Sequence, residues 1–197
     1  DVSYFYFSGH GWSDGEISTI LPHDAIAENA SRDISADNLA LALDRIPGTK
    51  IVILDSCHSG GFIGKDASVY AREMRENDIN HFNNNLIKPF ELYDLQLRKD
   101  NLAKKSFKVI TSASGNQECF ETINHPIDGN PFGYFSASLS EGCGYNDFIA
   151  PLPADYNMNN QITLNEIYLY IQESLKFTNQ DVQVYPINSS LDRKSVV

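Results

Sequence analysis

Three short apolar runs stand out along the chain, at 3–7 (SYFYF), 50–54 (KIVIL) and 107–112 (FKVITS). Each has strand length and is close to continuously apolar, the pattern of strands buried on both faces of a parallel sheet. Between the first two, Ser35 precedes ADNLALALDRI, where Leu39, Leu43 and Ile46 recur at helical spacing. Ser35 predicts an N-cap, and Pro47-Gly48 predicts the stop. Strand, helix, strand is a βαβ unit, and the third run makes the chain α/β. Further on, LNEIYLYIQESLK (164–176) aligns Leu164, Tyr168, Ile171 and Leu175 on one helical face. A last strand, DVQVY (181–185), stops at Pro186.

The segment 64–106 breaks this rhythm, with weak periodicity and Asn83-Asn84-Asn85 at its middle. The expectation is a single domain over 1–197 that carries 64–106 as a long insertion or linker between the second and third strands. Such loops are usually functional or flexible. The segment holds eight of the fifteen basic residues, offset by seven acidic ones.

Composition narrows the classes. A chain of 197 residues with 42% hydrophobic and 11% aromatic positions can build a core and is no disordered acidic tail. Fifteen Lys and Arg against 26 Asp and Glu leave a net charge of −11, which repels phosphate backbones and anionic membranes. Neither nucleic acid nor membrane is therefore an expected partner. No run approaches the roughly 18 apolar residues of a membrane span. Asp1 leads straight into a strand rather than a leader, but a mature secreted form would look the same, so the compartment stays open. Cys57, Cys119 and Cys143 are an odd number without a CxxC pair. That argues against a disulfide framework or zinc knuckle and raises the question of one reactive thiol.

In open parallel sheets, ligands sit at the carboxyl ends of the strands. The first strand runs into Ser8-Gly9-His10-Gly11 and the second into Asp55-Ser56-Cys57-His58-Ser59-Gly60-Gly61. If these strands are parallel neighbours, His10 and Cys57 lie at the same edge. A thiol beside an imidazole becomes a nucleophile near neutral pH, and the N–H groups of Cys57 and Gly11 would face the developing oxyanion. A lone cysteine at a strand end is ordinarily a small buried hydrophobe, the reading kept for Cys119 and Cys143. His10, the glycines and Asp55 give Cys57 different company.

SGHG followed by DSCHSGG resembles the caspase-like cysteine peptidases, closest to the metacaspases and their bacterial relatives. Clostripain, legumain, gingipain and separase belong to the same structural group. The likeness continues through ITSAS (110–114), Gln117 and Glu118, GYFSASL (133–139), ITLNEIYLYI (162–171) and QVYP (183–186). It implies a three-layer α/β sandwich, a mostly parallel sheet with helices on both faces. It makes Cys57 the nucleophile, His10 the general acid/base, and Gly11 and Cys57 the oxyanion donors. Asp55 matches the floor of the S1 pocket, which selects Arg or Lys, and Ser8 falls in its wall. The substrate is then a peptide or protein with a basic P1 residue, and no cofactor is required. The insertion offers self-processing sites at its Lys and Arg residues. The alternative is a catalytically silent caspase-like scaffold that binds partners.

These enzymes normally place two further strands and a helix before the SGHG strand. Here that strand begins at residue 2. The resemblance therefore implies an N-terminal piece of the same domain, as a separate chain or outside this sequence, which holds the second S1 acid of metacaspases.

The segment 155–166 (DYNMNNQITLNE) carries a second pattern. Asp155, Asn157, Asn159, Gln161, Thr163 and Glu166 fall at positions 1, 3, 5, 7, 9 and 12 of an EF-hand-like calcium loop. Asn160 stands where glycine is usual, and only two of the six are carboxylates. The simpler expectation is that Thr163 and Glu166 form a T-x-x-E capping box for the last helix.

Overall fold

The computed structural model describes residues 1–13, 18–26, 30–56, 106–112, 119–122, 132–145, 152–178, 180 and 182–185. In chain order the first elements are β1 (Val2–Gly9), β2 (Gly11–Ser13), β3 (Ser18–Ile20), β4 (Ile34–Ser35), α1 (Ala36–Asp44) and β5 (Thr49–Ser56). There follow β6 (Phe107–Thr111), β7 (Glu121–Thr122), β8 (Phe132–Gly133), α2 (Tyr134–Gly142), α3 (Leu164–Ser174) and β9 (Gln183–Tyr185). The insertion 64–106 lies outside the described residues but for its last position.

The three apolar runs become β1, β5 and β6, parallel neighbours in a sheet of order β1-β5-β6-β9. β9 pairs antiparallel with β6 and begins two residues later than its sequence pattern suggests. Alternation sends Val52, Leu54, Phe107 and Val109 to one face, against Leu39, Ala40 and Leu43 of α1. Ile51, Ile53 and Ile110 go to the other, against Phe135 of α2 and Leu164, Ile167 and Ile171 of α3. Because β5 is central and covered on both faces, its whole apolar run is buried. Helices on both faces of a mostly parallel sheet are the predicted three-layer α/β sandwich. Truncating a buried residue such as Ile53 to Ala would cost about 2–5 kcal/mol.

The predicted caps are in place. Ser35 Oγ accepts the Asn38 N–H at 3.1 Å. α1 stops at Asp44, short of Ile46, before Pro47 denies the ladder a donor. Gly48 turns with φ of 87°, and a Cβ there would lie 2.3 Å from the Asp1 carbonyl oxygen. Thr163 and Glu166 form the full capping box.

Three features depart from the sequence reading. β2, β3 and β4 form a small antiparallel sheet of their own, and β7 and β8 form a ribbon. α2, within the GYFSASL stretch, was not foreseen as a helix. Among the described residues, no helix is long and apolar enough to cross a membrane.

Candidate active site

The register of β1 on β5 sets the site. Ser8 pairs with Asp55 and Gly9 with Ser56, so each motif begins at the same edge of the sheet. His10, one residue past Gly9, is exposed, and its carbonyl accepts the Leu21 N–H at 2.9 Å. That bond makes Gly11 and Ile20 a non-hydrogen-bonded antiparallel pair, so the Gly11 N–H points away from β3. Cys57 follows Ser56 in sequence and, with His58, lies outside the described residues.

Asp55 is the best-defined member of the site. It is 7% exposed, on the same face of β5 as Ile51 and Ile53. Its Oδ2 accepts the Ser136 N–H at 3.2 Å and the Ser136 hydroxyl. Ser136 is the third residue of α2, and the N-cap, Gly133, has no side chain to offer. Asp55 therefore caps α2 from across the sheet, where a carboxylate also meets the positive end of the helix. A Cβ on Gly133 would sit 2.5 Å from that Oδ2, so only glycine leaves the carboxylate room.

Burial pushes the Asp55 carboxyl above the ordinary carboxylate range. Hydrogen bonds from Ser136 and Ser112 pull it down, and the charge of Glu121 pushes it up. Glu121 pairs directly with Gly133 in the β7–β8 ribbon. Cross-strand partners share a face, so the exposed Glu121 projects on the side where Gly133 meets Asp55. Sequence reasoning missed Ser112, Glu121, Gly133 and Ser136; only the tertiary pairing reveals them. Gln180 locks the surroundings. It is buried, accepts the Phe120 N–H at 3.0 Å and donates to the Ser112 carbonyl at 3.3 Å.

The other cysteines differ from one another. Against the reading kept for it, Cys119 is not a buried free thiol but is half-buried and disulfide-bonded, and its sulfur lies 3.0 Å from Ser112 Oγ. Cys143 is free and half-buried, and burial pushes its thiol up.

The loop 155–166 is folded on its own oxygens. Asp155 accepts the N–H groups of Asn159 and Asn160 at 3.1 and 2.7 Å. Glu166 accepts from the Asn157 amide at 2.5 Å and from the Thr163 N–H at 2.9 Å. Both carboxylates thus have work that needs no cation, and the Asn157 amide turns its donor, not its oxygen, toward Glu166. Among the described residues, no three His, Cys, Asp or Glu side chains gather as a metal site.

The sandwich with its motifs at the strand ends is a caspase-like architecture. The chain matches the caspase domain model over residues 1–195 and belongs to that family. It is also similar to a crystal structure of a Geobacter sulfurreducens protein, at 17% identity and a TM-score of 0.43. That match covers 94% of this chain, which spans 65% of the solved chain. A search of curated proteins finds no match.

Proposed function

We propose that this chain is a cysteine endopeptidase that cleaves after Arg or Lys through a Cys57–His10 dyad. The observation that carries the specificity is the buried Asp55 carboxylate, in register with Ser8 and two residues before Cys57. A fixed carboxylate beside a second acid, Glu121, suits a guanidinium or ammonium and repels an acidic P1 side chain. In the reaction, His10 takes the Cys57 proton and the thiolate attacks the carbonyl carbon. The N–H groups of Gly11 and Cys57 receive the oxyanion. Collapse expels the amine, protonated by His10, and leaves a thioester. Water, deprotonated by His10, then hydrolyses it. Self-processing within 64–106 belongs to the same proposal.

The proposed chemistry uses no metal. Calcium at 155–166 is a separate proposal about the loop, resting on its spacing of oxygen-bearing residues.

The test is hydrolysis of paired fluorogenic peptides ending in Arg, Lys and Asp, with the parent and with Cys57→Ala. A reductant is included, since Cys119 is disulfide-bonded and the nucleophile must be a free thiol. Turnover of the Arg and Lys peptides alone, lost in the variant, supports the proposal. No turnover of any peptide favours the silent scaffold.

A further inference from the structure

A chain of hydroxyls runs from β1 across to Asp55. Tyr6 Oη lies 2.7 Å from Ser136 Oγ, and Ser136 Oγ donates to Asp55 Oδ2. A hydroxyl has one proton. Since Ser136 gives its own to the carboxylate, the Tyr6 phenol is the donor in the other bond. Both protons therefore point toward Asp55, the polarity that an ionised carboxylate requires. Bonds aligned in this way strengthen one another in a low-dielectric setting.

We propose that Tyr6 and Ser136 are positioning residues that hold the Asp55 carboxylate ionised and aimed for the basic side chain of the substrate. The inference rests on the reading of Asp55 as the floor of the specificity pocket. The groups facing Asp55 are Ser136 from α2, Ser112 at the end of β6 and Glu121 from β7. Ser8 is its partner on β1 and Gly133 its neighbour on β8. Of these, Ser136 and Ser112 are the hydroxyl donors that oppose burial and the Glu121 charge. Ser136 is also tied to a second hydroxyl, that of Tyr6, which is half exposed at the rim of the sheet. In this proposal each acts through Asp55.

The experiment uses Ser136→Ala and Tyr6→Phe, with melting curves to verify folding. Hydrolysis of the Arg peptide and inhibition by agmatine, a guanidinium without a scissile bond, are followed across a pH series. Ser136→Ala is expected to raise both KM and the agmatine inhibition constant about tenfold, with kcat little changed. The acid limb of agmatine binding moves to higher pH. Tyr6→Phe moves all three the same way, by about threefold in the two constants, and carries the test alone if Ser136→Ala does not fold. Parent-like constants and an unmoved acid limb in the folded variants would overturn the positioning role. A parent that neither cleaves the Arg peptide nor binds agmatine would instead overturn the pocket reading beneath it.

Discussion

Asp55 and Ser136 lie 81 residues apart in sequence, yet the carboxylate of one accepts the N–H of the other at 3.2 Å. The contact serves two ends. It satisfies an orphan donor in the first turn of α2, which Gly133 cannot reach, and it fixes the carboxylate near the end of β5. A structural bond and the proposed specificity determinant thus share one oxygen.

Asp55→Asn separates these two ends. The amide oxygen still accepts the Ser136 N–H, so α2 stays capped and the protein folds. Cleavage after Arg is expected to fall about a hundredfold, because a charged partner is removed from the pocket. The pH dependence has a definite sign. The folded-state value of Asp55 is raised, so its contribution is fully present below the ordinary carboxylate range and is lost as pH rises through the raised value. Melting curves of parent and variant should therefore shift in favour of Asp55→Asn as pH rises through that window. A difference that is flat with pH would contradict the raised value.

Gly133→Ala tests the space rather than the charge. The backbone there, at φ of −60° and ψ of 135°, suits any residue, so strain plays no part. The added methyl would lie 2.5 Å from Oδ2 and 3.3 Å from Cγ of Asp55. Overpacking of this kind costs about 1–3 kcal/mol. Urea unfolding should show that loss, and KM for Arg peptides should rise as the carboxylate is displaced. Parent-like stability and KM together would mean the gap is not tight.

What could be read from the sequence was local. Ser35 and the Thr163–Glu166 pair are caps written in adjacent residues, and the runs of β5 and β6 are covered on both faces, whereas β1, at the edge of the sheet, leaves Tyr4 and Tyr6 half exposed against the pattern of its run. α2 was not legible for the converse reason. Its segment YFSASLSEG buries Ser136 and Ser138 beside Phe135, which mutes the apolar period, and its cap comes from Asp55 rather than from its own start. The parallel register foreseen for the SGHG and DSCHSGG strands could be stated as a condition, and β1 on β5 meets it. Glu121 had no signal, since only pairing with Gly133 brings it to the site.

Thr163→Ala removes the hydroxyl that accepts the Glu166 N–H at 3.2 Å. Loss of such a cap costs about 1 kcal/mol. Denaturant unfolding should show this with and without calcium, because the box is complete without an ion. A calcium-dependent rise in Tm, lost in Asp155→Asn, would place calcium in the loop.

Cysteine reactivity should divide sharply. Burial raises the Cys143 thiol and holds it neutral, whereas a thiol served by His10 ionises readily. Under reducing conditions, iodoacetamide is expected to modify Cys57 quickly and Cys143 slowly at neutral pH. Peptide mapping by mass reads both. Equal rates at the two positions would argue against the dyad.

Glu121→Gln provides the opposite sign to the loss of Ser136. Ser136 donates to Asp55 and favours its charged form, while the Glu121 charge opposes it. Removing that charge lets Asp55 ionise at lower pH, so the acid limb of agmatine binding should move down, where Ser136→Ala moves it up. At higher pH, where Asp55 is charged in both proteins, the variant has lost one of two acids and should bind agmatine about threefold more weakly. A weaker plateau with a limb at lower pH is hard to produce by general disruption, which would weaken binding without ordering the two limbs. If both variants shift the limb in the same direction, the opposed roles of Ser136 and Glu121 around Asp55 are wrong.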